Sequence, residues 1–204
     1  MARRRLGTAA LLVVLLATGA SATAKSRPPL ASPEAGLKVL ARYHFYVVHG
    51  STAAAIRADL DRRGLVDPSG GRYDARTDWY VRWQYGELAT SRGCKVTHPT
   101  TNVRIDYHLP RWVPPPHPNP TLVRRWNRYT TALGVHEEGH AVNGLRTGRD
   151  ILHLLARFST TSGCGTLGDR ANNAASREIA AGNARDVAYD RRTDHGATQG
   201  ARFP

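Results

Sequence analysis

An α+β fold, with an antiparallel or mixed sheet packed beside one long helix, is predicted by three patterns in the chain. Leu122, Trp126, Tyr129, Leu133, His136 and His140 follow one another in steps of four, three, four, three and four, which places them on one face of a helix. Trp79, Val81, Trp83 and Tyr85, and then Val103, Ile105 and Tyr107, alternate with more polar residues, the period of a strand. Proline-bearing turns at 68–71 and 110–120 separate these stretches.

The segment ahead of the fold reads as an export signal. Arg3, Arg4 and Arg5 precede an apolar run from Ala9 to Leu16 that is too short to span a bilayer, and small residues at Ala20 to Ala24 offer a cleavage site. Residues 1–24 are therefore expected to be a signal peptide and 25–41 a Pro- and Ser-containing lead-in. Residues 42–204 are then the domain, secreted or periplasmic, with no membrane span. In an oxidising compartment, Cys94 and Cys164, the two cysteines of the chain, are expected to pair.

The formal charge is +13, and loss of the three leader arginines leaves +10. The basic residues are spread along the chain and no nucleic-acid-binding fingerprint occurs. Attraction to an anionic cell envelope is the expectation rather than specific nucleic-acid binding.

In chain order, Tyr43 to Val48 is a β-prone run ending at Gly50, and Ser51 or Thr52 can cap a helix that closes at Gly64. The stretches 72–88 and 94–109 are expected to pair as antiparallel strands. Asn119 followed by Pro120 is a strong start for the long helix, which is expected to run at least to Val142. Ile151, Leu154, Leu155 and Phe158 continue at helical spacing, and Asp169 can cap a last helix to about Tyr189.

The long helix carries His136-Glu137-Glu138-Gly139-His140, a HExxH pattern. Residues four apart lie about one turn apart on the same face, so His136 and His140 can offer imidazole nitrogens to one Zn2+ ion. Glu137 then stands beside the metal, where a carboxylate can take the proton of a water whose pKa zinc has lowered. Gly139 is expected to leave room beside the ion. Catalytic zinc usually has a third protein ligand. The metzincin extension needs Gly at 143 and His at 146, but this chain has Asn143 and Arg146. Glu178 on the last helix is one candidate. The run Tyr189 to Gly196 holds others, Asp190 and His195, with Asp190 or Asp194 able instead to orient a histidine. Tyr189 reads either as an oxyanion donor or, preferably, as packed core. His44, His49, His98, His108, His117 and His153 share no ligand spacing and read as surface or strand residues.

HEEGH at 136–140, the pair Cys94 and Cys164, Leu109-Pro110-Arg111-Trp112 and the closing Tyr189-Asp190-Arg191-Arg192-Thr193-Asp194-His195-Gly196 together resemble a bacterial family of secreted zinc-dependent proteases, formerly domain of unknown function 922. The likeness runs from about Tyr43 to Pro204. It implies a zincin-like fold, peptidase activity on a protein or peptide substrate, and a tail that belongs to the domain. It places His195 as third zinc ligand, with Asp190 next. A cell-wall peptide amidase using the same zinc, and a zinc-stabilised envelope-binding domain without activity, are the rival expectations.

Overall fold

The computed structural model describes residues 34–66 and 70–204; the expected signal peptide, most of the lead-in and residues 67–69 of the first turn lie outside them. Strand β1 (Leu37–Val48) leads into helix α1 (Ala53–Arg63), which Thr52 caps by accepting the amide N–H of Ala55 at 3.1 Å. Two short strands, β2 (Leu65–Val66) and β3 (Arg72–Tyr73), pair antiparallel ahead of the long strands β4 (Arg76–Thr90) and β5 (Gly93–Trp112). Helix α2 (Pro120–Ala156), strand β6 (Ser159–Thr160), a 3-10 turn (Cys164–Thr166), helix α3 (Leu167–Thr193) and a second 3-10 turn (Ala197–Gln199) complete the chain.

The main sheet is mixed, in the order β1-β5-β4. β4 pairs antiparallel with β5 as the alternation predicts, while β1 lies parallel to β5. β1 begins at Leu37, inside the stretch expected to be lead-in. Buried Leu37, facing Gly148 of α2, anchors that early start. The face bearing Val103, Ile105 and Tyr107 is buried under α2.

α2 runs unbroken past Val142 to Ala156, taking in Ile151, Leu154 and Leu155, while Phe158 falls after its end. Its start matches the expectation: the Asn119 side-chain oxygen accepts from the backbone N–H of Thr121 at 2.8 Å and of Leu122 at 3.4 Å. Glycines that weaken an isolated helix by up to about 1 kcal/mol each are tolerated because other elements press there. A methyl group at Gly144 would collide with Trp79 of β4, and one at Gly148 with Val103 of β5.

α3 departs from expectation at both ends. It begins at Leu167, which is buried among Ile151, Leu155 and Ala171, so Asp169 lies in the first turn and is not the cap. It continues past Tyr189 to Thr193, and that extra turn carries Asp190. The Cys94–Cys164 disulfide is formed and ties β5 to the turn ahead of α3. The tail folds back: Phe203 is buried against the rings of Trp126 and Tyr129, with centroids 5.6 and 5.2 Å away.

Candidate metal and catalytic site

Two pairs of residues at helical i, i+4 spacing face each other across the α2–α3 contact. On α2 they are His136 and His140, and on α3 Asp186 and Asp190. Each pair spans about one turn, so both members of a pair point the same way. The result is a knot of three electron-rich atoms. Nε2 of His140 lies 3.3 Å from Nε2 of His136, and Oδ1 of Asp190 lies 3.2 Å from the first histidine and 3.0 Å from the second.

The outer nitrogens of the two rings are engaged elsewhere. His140 Nδ1 lies 3.1 Å from Oδ1 of Asp186, an oxygen that can only accept, so this nitrogen carries the proton. Asp186 is itself held by the Trp79 indole N–H at 2.5 Å and the Asn143 amide at 2.8 Å. His136 Nδ1 lies 3.0 Å from the side-chain oxygen of Gln199. In the neutral tautomer that these partners select, both Nε2 lone pairs point at the Asp190 carboxylate and at each other. Only a proton or a cation relieves that repulsion.

The electrostatics of the cluster make the same demand. His140 is pushed up to about 10: burial opposes the charge, but the Asp186 and Asp190 carboxylates outweigh it. Asp190 is driven well below the usual carboxylate range, burial being overcome by its hydrogen bonds to His136 and His140. A divalent cation can replace the proton this cluster otherwise holds. Donor atoms about 2.0–2.1 Å from a tetrahedral zinc stand about 3.3–3.4 Å apart, and the spacings here are close to that. Nitrogen and oxygen donors of this kind suit zinc, so the residues fit the ion.

Glu137 is buried beside this knot, and the Thr77 hydroxyl of β4 donates to its Oε2 at 2.7 Å. Burial raises the Glu137 pKa, against the opposing pull of Thr77 and the two histidines. Glu138 accepts from the hydroxyl of Tyr107, the cross-strand neighbour of Thr77, at 2.9 Å. The Tyr189 ring stacks on His136, with centroids 5.1 Å apart, and meets His140 edge-on. A methyl group at Gly139 would overlap that ring, so the space the glycine leaves is filled by tyrosine. The Tyr189 hydroxyl accepts from the Gln199 side-chain amide at 3.1 Å.

A cavity of about 510 Å³ opens onto the cluster, lined by Arg76 and Thr77 from β4, by Leu133, and by His195. His195 sits in a left-handed turn after α3. Its Nδ1 is 3.8 Å from Oδ1 of Asp190, and its side chain is 59% exposed. Among the described residues the converging group comprises His136, His140 and Asp190, and His195 stands outside it. Glu178 lies three turns before Asp190 on α3, roughly 18 Å along the helix, and does not line the cavity. Asp194 pairs with Arg202 at 2.6 Å rather than with a histidine. His44 stacks on His108, and His153 lies 2.5 Å from Glu34, so none of these joins the cluster.

The family model described as bacterial protein of unknown function (DUF922) matches residues 43–196. The chain belongs to this family. No curated protein and no solved structure matches it. The DUF922 span takes in the three converging residues, Glu137, Thr77, Asp186 and His195, whereas Gln199 and Phe203 fall after it.

Thr77, Asp186 and Gln199 escape the sequence reading. A signal for Asp186 was present: its four-residue offset from Asp190 repeats the offset of the two histidines. Thr77 and Gln199 act through tertiary contacts at separations of 60 and 63 residues, which no local pattern announces.

Proposed function

We propose that this protein is an exported zinc metallopeptidase of zincin type, in which His136, His140 and Asp190 hold the ion and Glu137 is the general base. The observation that carries the reading is the convergence of two Nε2 atoms and one carboxylate oxygen within 3.3 Å of one another, beside a buried glutamate at the floor of an open cleft. A zinc ion held there supplies Lewis acidity, which acidifies water and polarises a peptide carbonyl.

The chain's own residues do the rest. Asp186 and Gln199 fix the ring orientations and tautomers of His140 and His136, so both Nε2 lone pairs are presented together. Glu137 accepts a proton at its carboxylate as the nucleophile attacks, and returns it to the leaving amine. Thr77 holds the glutamate in place from β4. His195, exposed above Asp190, is free to meet the substrate or its developing charge rather than to ligate. β4 forms one edge of the sheet and its first residues line the cleft, so its backbone is available to pair with an extended peptide.

The open cleft supports a catalytic over a structural site, because structural zinc sites are closed by four protein ligands and the converging group here has three among the described residues. Zinc analysis and casein hydrolysis on the wild type and on Glu137→Gln test the reading. The variant should bind zinc stoichiometrically and lose at least about a hundredfold in hydrolysis. Retained hydrolysis with zinc bound would remove Glu137 from the mechanism. Release of peptides from purified cell wall without casein cleavage would shift the substrate to wall peptide.

A further inference from the structure

The face of the main sheet turned away from α2 is formed by the alternate residues of three strands, and its first half is uncovered among the described residues. In the register of the sheet, Lys38 stands beside Asn102 and Arg82, and Leu40 beside Arg104 and Tyr80. The next row sets Arg42 beside Asp106 and Asp78. Only further along does Val48 of β1 pack with Ile56 and Leu60 of α1.

The charges on this face fall into two kinds. Arg104 is tied down, 3.0 Å from Asp106, and Asp78 is occupied by Arg76 at 3.0 Å. Lys38, Arg42 and Arg82 are exposed and make no ion pair among the described residues. With neighbouring strands about 4.8 Å apart and alternate residues about 6.7 Å apart along a strand, these three cations form a triangle with sides of roughly 10, 13 and 16 Å. Each side exceeds the roughly 3.4 Å spacing of adjacent charges along a phosphodiester strand, so one chain can lie across all three cations. The two carboxylates on the face are already neutralised by their own arginines, so an approaching anion meets net positive potential.

We infer that this face is a docking surface for a linear phosphodiester polymer that carries no bases, the chemistry of polyol-phosphate chains. Charge complementarity selects a polyanion, and the aromatic content selects against nucleic acid. Single-stranded nucleic-acid binders stack bases on open aromatic rings. The one aromatic in the three rows, Tyr80, has the Arg104 guanidinium over its ring at 4.2 Å, and its neighbour Leu40 is aliphatic. The inference does not depend on the metal site, which lies on the opposite side of the sheet beneath α2.

The test is a binding titration of the protein with fluorescent poly(glycerol phosphate), and with oligo-dT of equal charge, over a series of salt concentrations. The wild type should bind the base-free polymer at least as tightly as oligo-dT. Its plot of log K against log salt should have a slope that the triple variant Lys38→Ala, Arg42→Ala, Arg82→Ala reduces by about 2 to 3, with affinity lowered tenfold or more. A control removing Arg125, Arg128 and Arg177, exposed helix arginines elsewhere, should leave the affinity within about threefold of wild type. Circular dichroism and thermal denaturation confirm that both variants are folded. Equal losses in the two variants would mean net charge alone and overturn the site. Tighter binding of oligo-dT, or no binding of the polymer, would overturn the ligand.

Discussion

Nδ1 of His136 lies 3.0 Å from the side-chain oxygen of Gln199, a residue 63 positions later in the chain. This bond fixes which nitrogen of the first histidine faces Asp190, and the buried Phe203 nearby holds the segment that supplies it. Changing Gln199 to Leu keeps the bulk and removes the acceptor. The zinc dissociation constant, measured by competition with a chelating dye, should rise about 10- to 100-fold. An unchanged constant would show that the tail contributes packing alone.

Gly139 permits the Tyr189 ring to lie on both imidazoles. Gly139→Ala improves intrinsic helix propensity by about 1 kcal/mol, so on helix grounds alone it would stabilise the protein. The clash should reverse that gain: we expect a lower Tm in thermal denaturation and a loss of hydrolysis. A raised Tm with full activity would show that Tyr189 can move without consequence.

Asp59 is buried at the end of α1, where its carboxylate accepts from the His49 backbone N–H at 2.7 Å and from Arg63 at 3.1 Å, with Arg62 also bound. Burial alone would raise its pKa, but these donors lower it below the ordinary value. A depressed folded pKa means stability that is present above the unfolded value near 3.9 and lost as pH falls through the folded value. Asp59→Asn should therefore cost about 1–3 kcal/mol in urea denaturation at pH 7, and the gap from wild type should shrink below about pH 4. A gap independent of pH would assign the loss to packing.

The Cys94–Cys164 bridge closes a loop with a sequence separation of 70. On the chain-entropy account, removing it costs about 4 kcal/mol. The double variant Cys94→Ser, Cys164→Ser should denature at distinctly lower urea concentration while binding zinc as before, since the bridge lies at the β5–β6 end and outside the metal cluster. Loss of zinc in a variant that stays folded would show unexpected coupling between the two.

Much of this arrangement was legible in the chain. The three-four stepping from Leu122 to His140 marked α2 and the face its histidines share, and the alternation at Trp79–Tyr85 and Val103–Tyr107 marked β4 and β5. The parallel placement of β1 was not legible, because strand direction depends on where the intervening α1 and β2–β3 send the chain. Nor did a local pattern choose between Asp190 and His195. That choice rests on α3 continuing one turn past Tyr189, which puts Asp190 on the face toward α2, while the left-handed turn at Asp194 and His195 swings the next histidine out to the cleft.

The most direct test is zinc stoichiometry of the purified protein and its single variants, read by elemental analysis after dialysis against apo buffer. We expect one zinc per wild-type chain, loss of the ion in His136→Ala, His140→Ala and Asp190→Ala, and retention in His195→Ala. Zinc kept by Asp190→Ala and lost by His195→Ala would contradict the assigned ligand set, and a metal-free, folded wild type that does not take up added zinc would contradict the site itself.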